Sequence, residues 1–109
     1  YRLNIESDGQ RWMTLIYPDE EHGICVVTSI LPQSVPESRR VAVVMELAAP
    51  NYEMGLGSFD LDPQDGELRY RTGIDLGCGM DPIPVLEALI SGHLQLFAEQ
   101  HDWLAGLTS

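Results

Sequence analysis

The chain begins with three segments whose hydrophobic and polar positions follow the period of two that is typical of β-strands. In the first segment, Tyr1, Leu3 and Ile5 alternate with polar residues. The Asp8–Gly9 pair that follows is a strong signal for a hairpin turn. The second segment divides its side chains between two faces: Trp12, Thr14 and Ile16 against Met13, Leu15 and Tyr17. The third segment, residues 23–32, is apolar on both faces, so we expect it to be central in a sheet or covered on both sides.

A helix is predicted after these strands, from residue 34 to residue 49. Ser34 and Glu37 have the spacing of a capping box, and Pro36 fits the first helical turn. Pro50 is expected to end the helix. Apolar residues recur at helical spacing and predict one buried stripe: Val41, Val44, Met45 and Ala48.

The acidic segment GSFDLDPQDGELRYRTG, residues 57–73, resembles a calcium-binding loop because its carboxylates are closely spaced. Counted from Asp60, an EF-hand needs glycine at the sixth position and glutamate at the twelfth. This chain has Asp65 and Arg71 at those positions, and Gly66 comes one residue late. We therefore predict a turn between two strands and no metal site.

A second helix is predicted to begin at Pro82, with Asp81 as its N-cap, and to run to about Leu104. Gly92 inside it predicts a close-packing contact against the sheet or another helix. The apolar positions form two rows: Ile83, Leu86, Ile90, Leu94, Phe97 and Leu104, and then Val85, Leu89, Leu96 and Trp103. One row is enough to cover a sheet, so the second row predicts a contact with another subunit or a missing helix.

The order of elements is thus β-β-β-α-β-β-α, which predicts a single α+β domain over residues 1–109. Its core is a twisted antiparallel sheet of about five strands covered by two helices.

The net charge of −11 arises from 17 carboxylates against six arginines and no lysine. Such a surface repels the phosphates of nucleic acids and anionic membrane surfaces. No apolar run is long enough to span a membrane. A protein or peptide with basic character is the partner that this charge favours.

Few residues offer catalytic or metal chemistry. We expect Cys25 to be a core residue and both thiols to be reduced, as in the cytoplasm, and Cys78 lacks a neighbouring cation that would activate it. His93 and His101 are eight residues apart, which is too far for a close metal pair on a helix. His93 is predicted to be a core or interface histidine, and it could titrate near neutral pH. With no nucleophile, dinucleotide or phosphate-binding motif, we expect neither an enzyme nor a cofactor.

Arg69 and Arg71 project from the same face of a predicted strand. Two adjacent guanidinium groups can clamp a carboxylate or phosphate of a ligand. Alternatively, they pair within the protein with acidic neighbours such as Glu67 or Asp75. The sequence leaves both interpretations open.

The segment APNYEMGLGSFDLDPQDGELRYRTGIDL, residues 49–76, resembles the YbjN-type family, bacterial proteins labelled as sensory-transduction regulators. The residues that match this pattern are Asn51, Tyr52, Gly57, Phe59, Asp62, Asp65, Gly66, Glu67, Arg69, Tyr70 and Arg71. Related cyanobacterial and plastid domains of unknown function are the alternative. The resemblance implies a fold similar to type III secretion chaperones, which are usually dimeric. Members commonly begin with a further helix, so native chain is expected before Tyr1.

Together these observations predict a non-enzymatic, cytoplasmic module that binds a protein segment in a groove or along a sheet edge and forms a homodimer. Val85, Leu89, Leu96 and Trp103 are the expected subunit contact. A small-anion sensor that uses Arg69 and Arg71 is the alternative.

Overall fold

The computed structural model describes residues 1–77, 79 and 81–109. The predictions for Cys78 fall outside the described residues. The elements occur in the predicted order. The strands are β1 (Arg2–Ser7), β2 (Gln10–Asp19), β3 (Ile24–Ile30), β4 (Ser58–Leu61) and β5 (Leu68–Asp75). The helices are α1 (Arg40–Glu53), which follows a 3-10 turn at Glu37–Arg39, and α2 (Pro82–Gly106).

The five strands form one antiparallel sheet in the order β1-β2-β3-β5-β4. The predicted α+β class and sheet are therefore confirmed, and β3 is central as expected. Asp8 and Gly9 have φ angles of 51° and 79°. Positive φ at both central residues is the signature of a type I′ turn, which matches the twist of the two strands that it joins. This turn sets the register of β1 on β2, with Ser7 opposite Gln10.

The core lies between α2 and one face of the sheet, with α1 alongside β4 at the edge. Its largest fully buried side chains include Phe97 and Leu104 from α2 and Leu68 from β5. β3 buries Val27 completely but leaves Val26 only half-buried. Of the two alternatives for β3, the central position is therefore the correct one, since within the described residues neither helix covers the second face. We call this second face the open sheet face.

The predicted buried stripe of α1 is wrong. Val41 and Met45 are 80% and 71% exposed, whereas Val43 and Leu47 are buried. The helix lies at the edge of the sheet beside β4, so only a narrow strip at i,i+4 spacing contacts the core. The apolar residues of the predicted stripe instead face away from it.

The predicted ends of α1 are also wrong. Neither the 3-10 turn nor α1 has a side-chain cap, so the Ser34 capping box does not form. The preceding segment is instead bonded to the turn before β5, where the amide of Val35 donates to the carbonyl of Gly66 at 2.8 Å. At the other end, Pro50 lies inside the helix, which continues to Glu53.

The N-terminus of α2 agrees with the prediction. The carboxylate of Asp81 accepts a hydrogen bond of 3.1 Å from the amide of Ile83, and Pro82 occupies the first turn. The buried residues of the helix are His93, Phe97 and Leu104, while Ile83 in the first turn is exposed. A Cβ built on Gly92 would have no neighbour within 4 Å, so Gly92 makes no close-packing contact with the sheet or with α1.

The acidic segment forms the predicted hairpin turn between β4 and β5. Its carboxylates bind backbone amides: Asp62 accepts from Gln64 at 2.9 Å, and Asp65 accepts from Glu67 at 2.8 Å. These are the short-range bonds by which aspartate stabilises turns. Arg40 of α1 closes the turn from outside by donating to the carbonyl of Gln64 at 3.1 Å.

Candidate functional site

Arg69 and Arg71 project from β5 onto the open sheet face, where they converge on one carboxylate. Nη2 of Arg71 lies 3.3 Å from Oδ2 of Asp60, and Nε of Arg69 lies 3.7 Å from the same atom. Glu67 is a further partner of Arg69 at 3.9 Å. The acidic partner that matters most is Asp60 of β4, which the register places directly opposite Arg69.

The contact between Arg71 and Asp60 is an electrostatic attraction without hydrogen-bond geometry. Oδ2 of Asp60 is buried and accepts no hydrogen bond from a described residue, although the guanidinium lies 3.3 Å away. The Arg69 and Arg71 side chains are 40% and 50% exposed, so water screens the attraction and keeps it weak. Asp60 therefore holds the two guanidinium groups only weakly.

The floor beside these arginines is apolar. Cross-strand pairs place Leu15 opposite Thr28 and Tyr17 opposite Val26. These side chains form the bottom of a depression of about 480 Å³, which extends from Arg69 and Arg71 on β5 to Arg2 on β1.

Two further arginines complete this face, and the sequence analysis did not single them out. Arg2 lines the first depression and, with Arg11, a second one of about 320 Å³. In the part of the chain that the structure describes, neither guanidinium forms an ion pair. The position of Arg2 could have been predicted from the Asp8–Gly9 turn. A two-residue turn sets the register of β1 on β2, and this register places Arg2 on the same face as Leu15.

The two edges of the sheet differ. At the β4 edge, the side chain of Asn51 accepts from the amide of Phe59 at 2.7 Å and donates to its carbonyl at 2.9 Å. The outward backbone groups of Phe59 are therefore satisfied by a side chain from α1. A strand from another molecule cannot pair there without displacing Asn51.

At the β1 edge, the backbone groups of three residues point outward. Tyr1 and Ile16 exchange both hydrogen bonds at 2.8 Å. In an antiparallel pair such residues alternate with residues whose N–H and C=O groups face away. Arg2, Asn4 and Glu6 are therefore the residues of β1 that offer main-chain groups to an added strand.

The predicted subunit-contact residues are only partly brought together. Leu89 and Leu96 line an apolar groove of about 470 Å³ between α2 and Leu56, and Val85 and Leu89 line an adjoining groove of about 530 Å³. Trp103 lies apart from them, with its ring 5.6 Å from that of Phe59.

His93 is a core histidine, as predicted, with both ring nitrogens bonded. Nε2 lies 2.7 Å from Oγ of Ser29, and Nδ1 lies 2.7 Å from Oγ1 of Thr72. The network of side-chain hydrogen bonds continues from Oγ of Ser29 to Oγ1 of Thr14, at 2.8 Å. The indole nitrogen of Trp12 donates to the same Thr14 oxygen at 2.9 Å. Burial lowers the pKa of His93 to about 4. The hypothesis that it titrates near neutral pH is therefore wrong, because its charged form would lose its hydration.

The remaining candidates add no reactive site. Cys25 is a free, buried thiol, as expected, and burial raises its pKa. No cluster of three or more potential metal ligands occurs among the residues that the structure describes. Over the same residues, neither helix has the combination of length and hydropathy needed to cross a membrane.

Comparison with known proteins agrees with the resemblance seen in the sequence. The model of the YbjN family, described as "Putative bacterial sensory transduction regulator", matches residues 5–102. No curated protein and no solved structure matches the chain.

Proposed function

The chain belongs to the YbjN family of regulators, and from that premise we propose that it is a regulatory domain that acts by binding another protein. A segment of the partner adds as a further strand at the β1 edge, where main-chain hydrogen bonds supply affinity and flanking side chains supply specificity. The domain acts without catalysis. It resides in the cytoplasm, where a free thiol such as that of Cys25 stays reduced.

The observation that carries this proposal is the difference between the two sheet edges. Asn51 blocks β4 at Phe59, whereas Arg2, Asn4 and Glu6 direct their main-chain groups outward from β1. Natural sheets commonly protect their edges against pairing. Among the described residues, no side chain caps the β1 edge as Asn51 caps the β4 edge, and an uncapped edge is suited to recognising a strand.

A non-catalytic role is supported by the state of His93. It is the buried histidine of the described residues, and its two nitrogens are occupied by Ser29 and Thr72. A general base needs a free nitrogen within reach of its substrate and a pKa near the working pH. His93 meets neither requirement.

The test is to replace one outward amide of β1 and to follow binding of a partner in cells. Asn4→Pro removes an N–H group that makes no bond within the sheet, and edge strands tolerate proline. Asn4→Ala is the matched control, because it removes the side chain and keeps the amide. A photo-crosslinking amino acid at Glu6 should capture the same protein in the wild type and in Asn4→Ala, and lose it in Asn4→Pro.

Circular dichroism and thermal unfolding establish that each variant is folded. If Asn4→Pro does not fold, Glu6→Pro removes a second outward amide, with the crosslinker moved to Asn4. Capture of the same protein by a folded proline variant would refute strand addition at this edge.

We also propose that the domain forms a homodimer through the apolar grooves beside α2, with Val85, Leu89, Leu96 and Trp103 as the contact. The support is that Val85, Leu89 and Leu96 line these grooves while remaining partly exposed. Leu89→Arg should convert a dimer to a monomer in light scattering after size-exclusion chromatography. Gln95→Arg, at an exposed position of α2, should leave the mass unchanged. A wild-type monomer at 100 µM would contradict the dimer.

The alternative function is a sensor of small anions. It is favoured by the convergence of Arg69 and Arg71 on one oxygen of Asp60, since the same arrangement suits an anionic ligand. Phosphate or citrate would then raise the melting temperature of the wild type and not that of Arg71→Ala. Arg39→Ala, on the turn before α1, is the control that should retain the effect.

A further inference from the structure

We infer that the apolar surface beside α2 binds a small, uncharged ligand in which an acyl chain carries an amide group. The two grooves described above, of about 470 and 530 Å³, share four residues and form one continuous channel, which we call the α2 groove. The shared residues are Leu56, Gly73, Ala88 and Leu89. Each part has a volume that is usual for small-ligand sites. The α2 groove lies away from the β1 edge, so the inference goes beyond the proposed strand addition.

Tyr70 offers the α2 groove a hydroxyl group that has no partner among the described residues. The residue is only 2% exposed, and it lines the groove. Its hydroxyl forms no hydrogen bond with a described residue, and it keeps some contact with solvent. A Cβ built on Gly57 would lie 2.8 Å from the hydroxyl oxygen, which places the hydroxyl next to residues 54–56, one wall of the groove. A hydroxyl largely removed from water without a bond is destabilising, so a ligand that accepts from it gains affinity.

The other polar side chains of the α2 groove already bond each other. Nδ1 of His93 lies 2.7 Å from Oγ1 of Thr72, and both residues are buried. Tyr70 is therefore the side chain that remains to recognise a polar group of a ligand. Burial raises the pKa of Tyr70, so its hydroxyl keeps its proton and can donate at neutral pH.

Gly73 adds main-chain groups to the same groove. Along a β-strand, residues that bond one neighbouring strand alternate with residues that bond the other. The carbonyl of Leu68 and the amide of Leu76 bond on the β3 side, so Gly73 directs its N–H and C=O groups to the β4 side. β4 begins at Ser58, opposite Arg71, so no strand of the described structure bonds Gly73 there. The groove therefore offers one main-chain donor and one main-chain acceptor.

These groups match one amide of a small molecule better than a strand of a protein. An amide accepts through its C=O group and donates through its N–H group, so it can bond both Tyr70 and Gly73. A strand needs a row of free residues. β5 continues past β4 only over residues 72–75, which is shorter than a typical strand.

The rest of the α2 groove is apolar and uncharged, which determines the rest of the ligand. Among the described residues, no Asp, Glu or Arg side chain lines the groove. His93 is neutral near neutral pH, because burial lowers its pKa to about 4. A charged ligand group would lose its hydration there without meeting an opposite charge. An acyl chain, by contrast, is stabilised by burial against Leu56, Leu89 and Leu96.

The ligand would share its surface with the proposed subunit contact, since Val85, Leu89 and Leu96 line the α2 groove. A ligand and a second copy of the chain would therefore compete. Binding of the ligand should convert the proposed dimer to a monomer, which gives a regulatory domain a response to a small molecule. This consequence rests on the proposed homodimer, whereas the ligand site itself does not.

The test is an NMR titration of the full, isotope-labelled chain with N-methyloctanamide. We expect the backbone amide signals of Gly55, Gly73 and Gly92, which line the α2 groove, to shift. The signal of Gly9, in the turn between β1 and β2, should stay unchanged. Octanoate has a similar chain with a charged head, and N-methylacetamide has the same head without the chain. Each should bind at least about tenfold more weakly than N-methyloctanamide.

Tyr70→Phe tests the hydroxyl, because it keeps the ring that contacts Phe59 and His93. It should weaken binding of N-methyloctanamide about fivefold, which is the effect of losing one hydrogen bond. The melting temperature of the free protein should not fall, since the hydroxyl bonds no described residue. Tyr17→Phe removes a hydroxyl on the open sheet face and is the matched control, which should bind like the wild type.

Gly92→Leu tests the space within the groove. A Cβ at Gly92 would meet nothing within 4 Å, so the fold accepts the leucine and its side chain occupies the groove. Binding should then be lost. Gly106→Leu, at the last residue of α2 and with equal room for a Cβ, is the matched control that should bind normally. Circular dichroism and thermal unfolding establish that each variant is folded. If Gly92→Leu is not, the smaller Gly92→Ala replaces it and should weaken the binding.

Four results would overturn the inference. Equal affinity of Tyr70→Phe and the wild type would mean that the hydroxyl recognises no group of the ligand. Octanoate that binds as tightly as N-methyloctanamide would contradict an uncharged ligand. Normal binding by a folded Gly92→Leu variant would place the ligand outside the α2 groove. The absence of shifts at low millimolar N-methyloctanamide would mean that the groove binds no such ligand.

Light scattering during the titration separates this inference from the proposed dimer. Conversion of a dimer to a monomer by N-methyloctanamide supports both. A dimer that persists with the ligand bound keeps the ligand site and removes the α2 groove as the subunit contact. A dimer that binds no ligand means that a second copy of the chain occupies the groove, which overturns the inference. Asn4→Pro should bind the ligand like the wild type, so failure of strand addition at β1 leaves this result unchanged.

Discussion

The side chain of Asn51 pairs with the backbone of Phe59 as a strand residue would, accepting from its amide at 2.7 Å and donating to its carbonyl at 2.9 Å. The amide side chain of asparagine carries both an acceptor and a donor, so one residue can satisfy both groups. This pairing joins the end of α1 to the outer side of β4, and it requires α1 to continue past Pro50.

Asn51→Ala should therefore reduce the free energy of unfolding by about 2 kcal/mol, because it leaves two partly buried backbone groups without a partner. Urea denaturation followed by tryptophan fluorescence measures the change. Asn4→Ala is the control at the opposite edge and should change stability by less than about 0.5 kcal/mol. If Asn51→Ala changes the free energy of unfolding as little as Asn4→Ala does, the contact of Asn51 with Phe59 does not stabilise the fold.

The low pKa of His93 makes the stability of the fold dependent on pH. Its pKa is lowered from the ordinary 6.5 to about 4 by burial, so between these values the unfolded chain binds a proton that the folded chain does not. Stability rises with pH wherever the unfolded state holds more protons. The contribution of His93 is therefore fully present above pH 6.5 and is lost as the pH falls towards 4. The expected loss is about 3 kcal/mol.

Urea unfolding of the wild type and of His93→Gln at several pH values isolates this contribution. The glutamine variant should be less stable at neutral pH, because the bonds to Ser29 and Thr72 are altered. Its stability should also fall less steeply between pH 6.5 and 4, the interval set by the pKa of His93. Parallel curves for the two proteins would mean that His93 is protonated in the folded state.

Gly66 and Gly9 offer a matched test of close packing, because both have a φ angle of 79°. A Cβ on Gly9 would meet nothing within 4 Å, whereas one on Gly66 would collide with the carbonyl of Val35 and lie 2.9 Å from Nε of Arg40. Gly9→Ala should cost about 1 kcal/mol, from the left-handed backbone alone. Gly66→Ala should lower the free energy of unfolding by about 3 kcal/mol or more, because the backbone of Val35 must move to make room for the Cβ. Comparable melting temperatures for the two variants would contradict the described packing of residues 35–40 on this turn.

The orientation of α1 is tested by Leu47→Ala and Met45→Ala. Leu47 is 3% exposed and contacts the core, so its truncation should cost roughly 2–5 kcal/mol. Met45 is 71% exposed, so its truncation should change the unfolding free energy by less than about 0.5 kcal/mol. A larger loss of stability for Met45→Ala than for Leu47→Ala would mean that the stripe predicted from the sequence is the buried one.

The misassigned stripe of α1 illustrates where the sequence ceases to be informative. Residues 41–49 contain apolar side chains around most of the helix, so more than one face satisfies a helical period. Helical spacing alone does not distinguish the set of Val41 and Met45 from the set of Val43 and Leu47. The position of the helix beside β4 decides which set is buried, and that position depends on contacts between distant parts of the chain.

The candidate binding face shows the same division. Alternation along β5 correctly placed Arg69 and Arg71 on one face, because neighbouring side chains of a strand point in opposite directions. Their partner Asp60 was not identified, because its position opposite Arg69 depends on the register of β4 on β5. Arg2 and Arg11 share that face with Arg69 and Arg71 because of the registers of β1 on β2, of β2 on β3 and of β3 on β5.

The sequence by itself determined the features that depend on neighbouring residues: the order of the elements, the Asp8–Gly9 turn, the acidic hairpin and the Asp81 cap of α2. Their physics is local, since a left-handed turn or an N-cap involves only a few consecutive residues. The tertiary structure alone decided which face of α1 is buried, which sheet edge Asn51 blocks and where the arginines gather. Those features depend on strand order and register, which arise from the burial of the whole core rather than from any one segment.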